Sequence, residues 1–233
     1  MEEDFSSVIA DRRVSVGLSV IVAVRHAESV ANTQGIFQGQ TYDTGLSPLG
    51  TRQAQVLARR LSGRGVPKII TSPLKRTYQT AFEIARISGA PIEVDNRLME
   101  TNHGIWEGKN KDWVTENFPD VYNLWRIKPT DVQFPGGEHF SQTVERVRQF
   151  VETAQLPPGS VVVTHDNVVR IILTHAQGTP VDQMWSYELE PASLSLFEGN
   201  VVNGKNILKT MKVNDFDHLI AEGLRADVSH HVL

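Results

Sequence analysis

The sequence predicts an α/β fold, a three-layer α/β/α sandwich whose mostly parallel sheet has about six strands, with helices on both faces. Short β-branched runs alternate along the chain with segments whose apolar residues recur at helical spacing, which is typical of such a sheet. The runs at 20–24 and 161–163 are continuously apolar, which indicates strands buried on both faces. A length of 233 residues with 40% hydrophobic residues is enough for one α/β domain with a substantial core.

Composition and charge exclude several classes of function. The formal net charge of -4 argues against a general nucleic-acid binder. No apolar stretch approaches the roughly 20 residues of a membrane span, and the acidic start of the chain is unlike a secretory signal. The chain has no cysteine, so disulfides, thiolate catalysis and zinc–thiolate sites are excluded. We therefore expect a cytoplasmic protein that contacts neither membranes nor nucleic acid.

The first half of the chain reads as strand, helix, strand, helix, strand. The run 20–25 predicts the first strand, and a helix begins at Ser47 and Pro48, because serine caps helices and proline fits their first turn. Residues 66–70 predict a second strand. A further cap–proline pair, Ser72 and Pro73, predicts a helix start, and residues 92–94 predict a short third strand.

The second half contains an irregular part and then returns to the alternating pattern. Residues 97–106 are irregular, and 110–127 are helical with a break at Pro119. The four aromatic residues between Trp113 and Trp125 predict a small subsidiary core or lid, with packing favoured over contact with substrate. The remaining predicted elements are a helix at 141–154, a strand at 161–165 that ends on His165, a helix at 167–176, and antiparallel edge strands at 193–197 and 207–213.

These elements define one domain between two tails. Residues 1–17 and 220–233 show no firm pattern and are expected to be loosely held. The domain covers 18–219, and we expect a small helical lid around 106–130.

Charged residues gather at the carboxyl ends of the predicted strands, where open α/β sheets bind ligands. Arg25 and His26 end the first strand, Arg76 lies in the first turn of the helix after the second, and His165 ends a later strand. Guanidinium groups and helix N-termini both bind anions. The arrangement therefore predicts a site for a dianionic phosphate ester.

The same residues suggest a reaction. A neutral histidine such as His26 can attack phosphorus and form a phosphohistidine, while fixed cations stabilise the transition state. An alkoxide leaving group needs a proton, and Glu100, in the irregular chain after the third strand, is the candidate donor.

Five motifs, in order, resemble the histidine phosphatase superfamily, which includes cofactor-dependent phosphoglycerate mutases and broad-specificity phosphatases. The resemblance runs from about residue 20 to about 219 and is closest to the broad-specificity phosphatase branch. The motifs are Arg25-His26-Ala27-Glu28-Ser29 with Asn32; Leu46-Ser47-Pro48-Leu49-Gly50 with Gln38-Gly39 and Asp43 before it; Ser72 to Ala81 around Arg76; Leu98-Met99-Glu100 with Gly104, Trp106, Glu107 and Gly108; and Phe134 to Glu138 followed by Val163-Thr164-His165.

The resemblance implies a role for each matching residue. His26 would be the phosphorylated nucleophile, and Glu100 would protonate the leaving group and then activate water. Arg25, Arg76 and His165 would bind the phosphoryl oxygens. We also expect substrate contacts from Asn32, Gln38 and Asn167, with Glu28 bordering the pocket. The family needs no metal, and we expect no cofactor.

Two departures from the family pattern stand out. Ala27 replaces the glycine of the family signature; the resemblance implies that a backbone carbonyl near this position orients the nucleophilic imidazole, and alanine keeps a carbonyl. Asp166 follows His165 where a glycine often occurs, and we favour capping of the next helix over selection of substrate. Among the other histidines, His103 is expected to be a surface loop residue.

We therefore predict a phosphoric monoester hydrolase acting on a small phosphorylated metabolite. The segment between Glu100 and the Gly136-Gly137 turn is short, which favours a phosphatase over the mutases, whose insertion is longer. Mutase-type phosphoryl transfer stays open, as does a non-catalytic phosphate-binding scaffold, which the presence of His26 and Glu100 disfavours. A homodimer and a monomer are both open.

Overall fold

The computed structural model describes residues 19–225, which form a six-stranded sheet with helices on both faces. The strand order is β3-β2-β4-β1-β5-β6. The first four strands in this order pair in parallel, and β5 and β6 pair antiparallel. The predicted fold class is confirmed. The strands are β1 Ser19–Arg25, β2 Ile69–Thr71, β3 Ile92–Val94, β4 Val161–Thr164, β5 Leu194–Val202 and β6 Lys205–Asp215.

The helices follow the predicted order. Within residues 19–225, none of them is both long enough and apolar enough to cross a lipid bilayer. Short 3-10 turns at Asn96–Leu98, Gly104–Trp106, Pro129–Asp131 and Val181–Ser186 connect the regular elements. The α-helices are α1 Val30–Thr33, α2 Pro48–Leu61, α3 Lys75–Ser88, α4 Lys111–Asn117, α5 Pro119–Ile127, α6 Phe140–Thr153, α7 Asp166–Gln177 and α8 Asp217–Ala221.

The central strands are buried on both faces because successive side chains point to opposite sides of a strand. In β1, Ile21 and Ala23 join the core under α6 and α7, whereas Val22 and Val24 join the core under α2 and α3. This explains why the strand reads as a continuous apolar run rather than an alternating one.

Three parallel strands end side by side at one edge of the sheet. Arg25 of β1 lies opposite Thr164 of β4, and Thr71 of β2 lies opposite Val163. The residues that follow these strands, His26, Ser72 and His165, therefore meet although they are distant in sequence.

The antiparallel strands are longer than predicted. They form a hairpin whose turn is Asn203-Gly204, with φ angles of 51° and 75°. Positive φ at both residues is the type I′ turn that matches strand twist, and Asn-Gly is its strongest sequence signal. The sequence therefore contained a marker for this hairpin that the apolar pattern alone did not reveal.

Three other boundaries differ from the sequence-based prediction. The second strand begins at Ile69, because Pro67 offers no N–H to the ladder. Helix α3 begins at Lys75 after an N-cap, Leu74, without a capping side chain, so Ser72 does not cap it. The polar segment after β1 contains α1, and a Ser29–Asn32 capping box stabilises the N-terminus of this helix.

The predicted tails lie largely outside the described residues. The N-terminal tail, 1–17, lies entirely outside them, as does the chain beyond Arg225. Residues 217–221 form α8, which crosses the predicted domain boundary at 219 and packs Leu219 into the core under α2.

Candidate active site

A cavity lies at the carboxyl edge of the parallel strands and brings together most of the predicted site residues. His26, Arg25, Arg76 and Glu100 all line it, and each is at most 5% exposed. Its complete lining is Arg25, His26, Asn32, Ile36, Phe37, Gln38, Arg76, Glu100 and Asp166.

His26 is held in one tautomer. Its Nδ1 lies 2.7 Å from the carbonyl oxygen of Ala27, and because a carbonyl can only accept, Nδ1 must carry the proton. Nε2 therefore keeps its lone pair. Burial, together with the charges of Arg76 and Arg25, lowers the pKa of His26 well below its usual value. The imidazole is neutral at pH 7, as a nucleophile must be.

His165 lies beside His26 beneath the cavity, with ring centroids 5.4 Å apart. It is fully buried, and its Nε2 lies 2.9 Å from Ser72 Oγ at the end of β2. Burial and the nearby charge of Arg76 lower the pKa of His165 well below its usual value. The predicted meeting of the two histidines is present, although His165 does not itself line the cavity.

The two arginines are fixed from outside the cavity. Arg25 donates from Nη1 to the carbonyl of Leu189, and Arg76 donates from Nη2 to the carbonyl of Gly39, 3.1 Å away. Asp43 pairs with Arg76 at 3.3 Å. The Nε atoms of both arginines are buried without a partner among residues 19–225. Buried donors are normally satisfied, so these two N–H groups are exceptions within the described residues.

Glu100 is positioned by its backbone as well as its carboxylate. Oε1 accepts from the N–H of Thr101 at 2.8 Å, and Oε2 lies 3.4 Å from the N–H of Asn167. The carbonyls of Met99 and Glu100 both accept from Arg146 of α6, which also pairs with Glu138 at 3.3 Å. Sequence reasoning missed Arg146, because no strand end or motif marks it.

Asp166 contradicts the capping prediction. The N-cap of α7 is His165, and the Asp166 carboxylate instead contacts Arg25 at 3.1 Å and Arg170 at 2.6 Å. Burial opposes its ionisation, but the charges of Arg170 and Arg25 outweigh burial and hold the pKa of Asp166 below its usual value. Asp166 therefore lines the cavity with an ionised carboxylate.

Of the residues predicted to border the pocket, Gln38 and Asn32 line it and two others do not. Glu28 is buried and accepts from Ser47 Oγ at 2.5 Å. Asn167 lies behind Glu100, with Nδ2 3.3 Å from Nε2 of His103. The geometry thus gives Asn167 a place behind the acid rather than in the cavity lining.

His103 is not the surface residue that the sequence suggested. It is fully buried, its Nδ1 lies 2.6 Å from the carbonyl of Gln38, and its ring packs edge-on against Phe134 at 4.8 Å. Burial lowers the pKa of His103. The prediction failed because the loop folds inward against the aromatic core.

Glu107 organises the loop that anchors Arg76. Its carboxylate accepts from the N–H groups of Gln40, Thr41 and Tyr42. A side chain at Gly39 would place Cβ 2.0 Å from Glu107 Oε1, so this close approach requires glycine. The sequence places both residues in family motifs, but the packing is what explains them.

The aromatic segment packs away from the cavity. Trp125 is fully buried against Phe134, Phe140 and Trp185, and Trp113 packs onto the same core. No aromatic residue between 113 and 125 lines the cavity, in agreement with the preference for packing.

A second cavity, of about 280 Å³, lies on the other side of the Arg25–Asp166 pair. Arg25 and Asp166 line both cavities. The exposed side chain of Glu188 lines only the second.

Within the part of the chain that the structure describes, no group of three or more His, Asp or Glu side chains could hold a metal ion.

The fold and the cavity define a class of protein. It is an α/β enzyme for phosphoryl transfer, in which a neutral imidazole, two guanidinium groups and a carboxyl group line one cavity.

The chain belongs to the histidine phosphatase superfamily (branch 1), whose family model matches residues 21–212. It is 34% identical over 202 residues to phosphoserine phosphatase 1 of Hydrogenobacter thermophilus, covering 85% of this chain and 93% of that protein. It is 33% identical over 179 residues to a probable phosphoglycerate mutase, GpmB, of Yersinia enterocolitica, covering 75% and 82%.

Solved structures agree with these relatives. The structure of mycobacterial glucosyl-3-phosphoglycerate phosphatase Rv2419c with VO3 superposes with a TM-score of 0.75 at 27% identity, covering 85% of this chain and all of that one. The predicted class of enzyme, a phosphoric monoester hydrolase of this superfamily, is confirmed.

Proposed function

We propose that the protein hydrolyses small phosphomonoesters through a phosphohistidine on His26, with Glu100 as general acid and then base. The observation that carries the proposal is the bond from His26 Nδ1 to the Ala27 carbonyl, at 2.7 Å. It leaves the lone pair on Nε2, and His26 lines a cavity together with Arg25, Arg76 and Glu100.

The reaction has two steps. His26 Nε2 attacks phosphorus, the P–O ester bond breaks, and the leaving oxygen takes the proton of Glu100. Water then attacks the phosphohistidine and gives a proton to the Glu100 carboxylate, and the P–N bond breaks to release phosphate. Arg25 and Arg76 stabilise the charge on the equatorial oxygens in both steps.

The substrate we propose is a small phosphorylated metabolite. The named relatives act on phosphoserine and on glucosyl-3-phosphoglycerate, so phosphoserine and phosphoglycerates are the first esters to test. A cytoplasmic location stays a prediction from the sequence, and the choice between a homodimer and a monomer stays open.

Mutase-type transfer is the second candidate, because one relative is named a probable phosphoglycerate mutase. The segment from Glu100 to the Gly136-Gly137 turn is short and contains two short α-helices, α4 and α5, and two 3-10 turns, which favours hydrolysis. Incubation with a phosphoglycerate separates the candidates: hydrolysis releases free phosphate, whereas a mutase gives the isomeric ester.

The test of the nucleophile is His26→Ala. We expect kcat/KM to fall by about 10⁴-fold or more, because the covalent route is lost. A ³²P-labelled ester should label the wild-type protein with an acid-labile phosphate and leave His26→Ala unlabelled. His175→Gln, on the far part of α7, is the matched control and should behave as wild type.

Phosphate release by His26→Ala at the wild-type rate would contradict the proposal. Absence of both turnover and labelling in the wild type, across a broad panel of esters, would favour the non-catalytic scaffold.

A further inference from the structure

The cavity that faces His26 contains a carboxylate that the mechanism does not use. Asp166 is 2% exposed, lines the cavity, and places Oδ1 3.1 Å from Arg25 Nη1 and Oδ2 2.6 Å from Arg170 Nε. A buried negative charge beside a site for an anion therefore needs a reason.

Asp166 changes the charge balance of the cavity. The cationic residues that line it are Arg25 and Arg76, and the acidic ones are Glu100 and Asp166. Asp43 approaches Arg76 from outside. With Asp166 ionised, its charge offsets that of Arg25, so the cavity attracts a dianion less than two unopposed arginines would.

We propose that Asp166 sets how weakly the cavity holds free phosphate, so that the product leaves readily after hydrolysis. The inference rests on the proposed function, in which phosphate is released at the Arg25 side chain. A carboxylate in contact with Arg25 repels phosphate in the ground state, and the same repulsion raises the KM of an anionic ester.

The shape of the site does not depend on Asp166 alone. Arg25 also donates to the carbonyl of Leu189, and Arg170 donates to the carbonyls of Met184 and Tyr187. An asparagine at 166 keeps one oxygen, which can accept from Arg25 Nη1 at 3.1 Å and from Arg170 Nη2 at 3.4 Å. Its NH₂ group replaces the oxygen that accepts from Arg170 Nε, so that one bond is lost. Asp166→Asn therefore removes the charge and keeps the contact with Arg25.

The experiment measures phosphate binding without turnover. Isothermal titration calorimetry of the full chain with inorganic phosphate should give a Kd about tenfold lower for Asp166→Asn than for wild type, the scale of one unscreened like charge nearby. In steady-state assays, KI for phosphate and KM for a small ester should both fall, while kcat does not rise.

Glu188→Gln is the matched control. Glu188 lines only the second cavity and is exposed, so the same change of charge should alter the Kd for phosphate less than about twofold. A tenfold change in both variants would mean a general effect of net charge and would overturn the proposal.

A second variant is needed if Asp166→Asn fails to fold because Arg170, a buried cation, has lost its carboxylate partner. Asp166→Asn/Arg170→Gln removes both charges of the buried pair and should still bind phosphate more tightly than Arg170→Gln alone. An unchanged Kd overturns the proposal, and a raised Kd shows that Asp166 acts by holding Arg25 in place. If no ester is hydrolysed, the proposed function fails, but the calorimetric comparison still decides the role of Asp166.

Discussion

At the scale of single residues, the backbone of Ala27 determines which nitrogen of His26 is free. The bond needs only a carbonyl, and Ala27 is not among the residues with positive φ, so the family's glycine can be an alanine here. The methyl group has a further role, because Ala27 is fully buried in the core under α2 and α3.

The role of Glu100 can be tested by the choice of leaving group. We expect Glu100→Gln to lower kcat for an alkyl phosphate by about 10²- to 10³-fold, because the alkoxide then leaves without a proton. For an aryl phosphate with an acidic phenol, the loss should be at least tenfold smaller. The measurement is kcat for the two esters, with exposed Glu116→Gln as the control.

Equal losses for both esters would show that Glu100 does not act as the acid.

Among single residues, strand ends were predictable, because chain direction alone places His26 and His165 at one edge. The roles of His103 and Asp166 were not, since each depends on a partner that packing brings from another element, Gln38 for one and Arg25 for the other.

At the scale of elements, helix α6 contacts the segment 97–100, which carries Glu100. Arg146 donates to the carbonyls of Arg97, Met99 and Glu100, and thereby fixes the 3-10 turn Asn96–Leu98 and the irregular chain that follows it. Gln40 adds a further bond to the Glu100 carbonyl at 2.8 Å.

We predict that Arg146→Gln lowers kcat by about 10- to 100-fold with little change in KM, because a loosened carboxyl group protonates the leaving oxygen less well. The loss should be larger for an alkyl than for an aryl phosphate. Arg148→Gln on the same helix is the control, since within residues 19–225 its side chain, which is 40% exposed, forms ion pairs with Glu145 and Glu152 alone.

A uniform loss for both esters, or a loss equal to that of Arg148→Gln, would show that Arg146 contributes to stability alone.

Most helices and strands were predictable from apolar spacing, and the break between α4 and α5 was predictable from Pro119. The start of α3 was not, because Asp43, a residue from a distant loop, accepts from the Lys75 N–H in place of a local cap.

At the scale of the whole molecule, burial of neutral histidines makes stability depend on pH. Burial lowers the pKa values of His26, His103 and His165 from the ordinary 6.5. Below pH 6.5 the unfolded chain binds protons that the folded chain does not, so stability falls as pH falls. At higher pH both states are neutral and the effect disappears.

We therefore expect the free energy of unfolding to be flat from about pH 8 to 7 and to fall below about pH 6.5, by about 1.4 kcal/mol per pH unit for each such histidine. Urea denaturation at a series of pH values measures this slope. His103→Gln should lower this slope by the contribution of one histidine, about 1.4 kcal/mol per pH unit. Glutamine is chosen because it can still donate to the Gln38 carbonyl. A slope of zero between pH 6.5 and 5 would contradict the prediction.

The position of β4 in the sheet has a consequence for how the protein is made. Strand β4 is the fourth strand in the chain, yet it lies between β1 and β2, the strands that deliver His26 and Ser72. A growing polypeptide on the ribosome cannot close the sheet until residues 161–164 have emerged. The apolar edges of β1 and β2 that pair with β4 therefore stay unpaired while about 140 residues after β1 and about 90 after β2 are synthesised, a period in which chaperones can bind them.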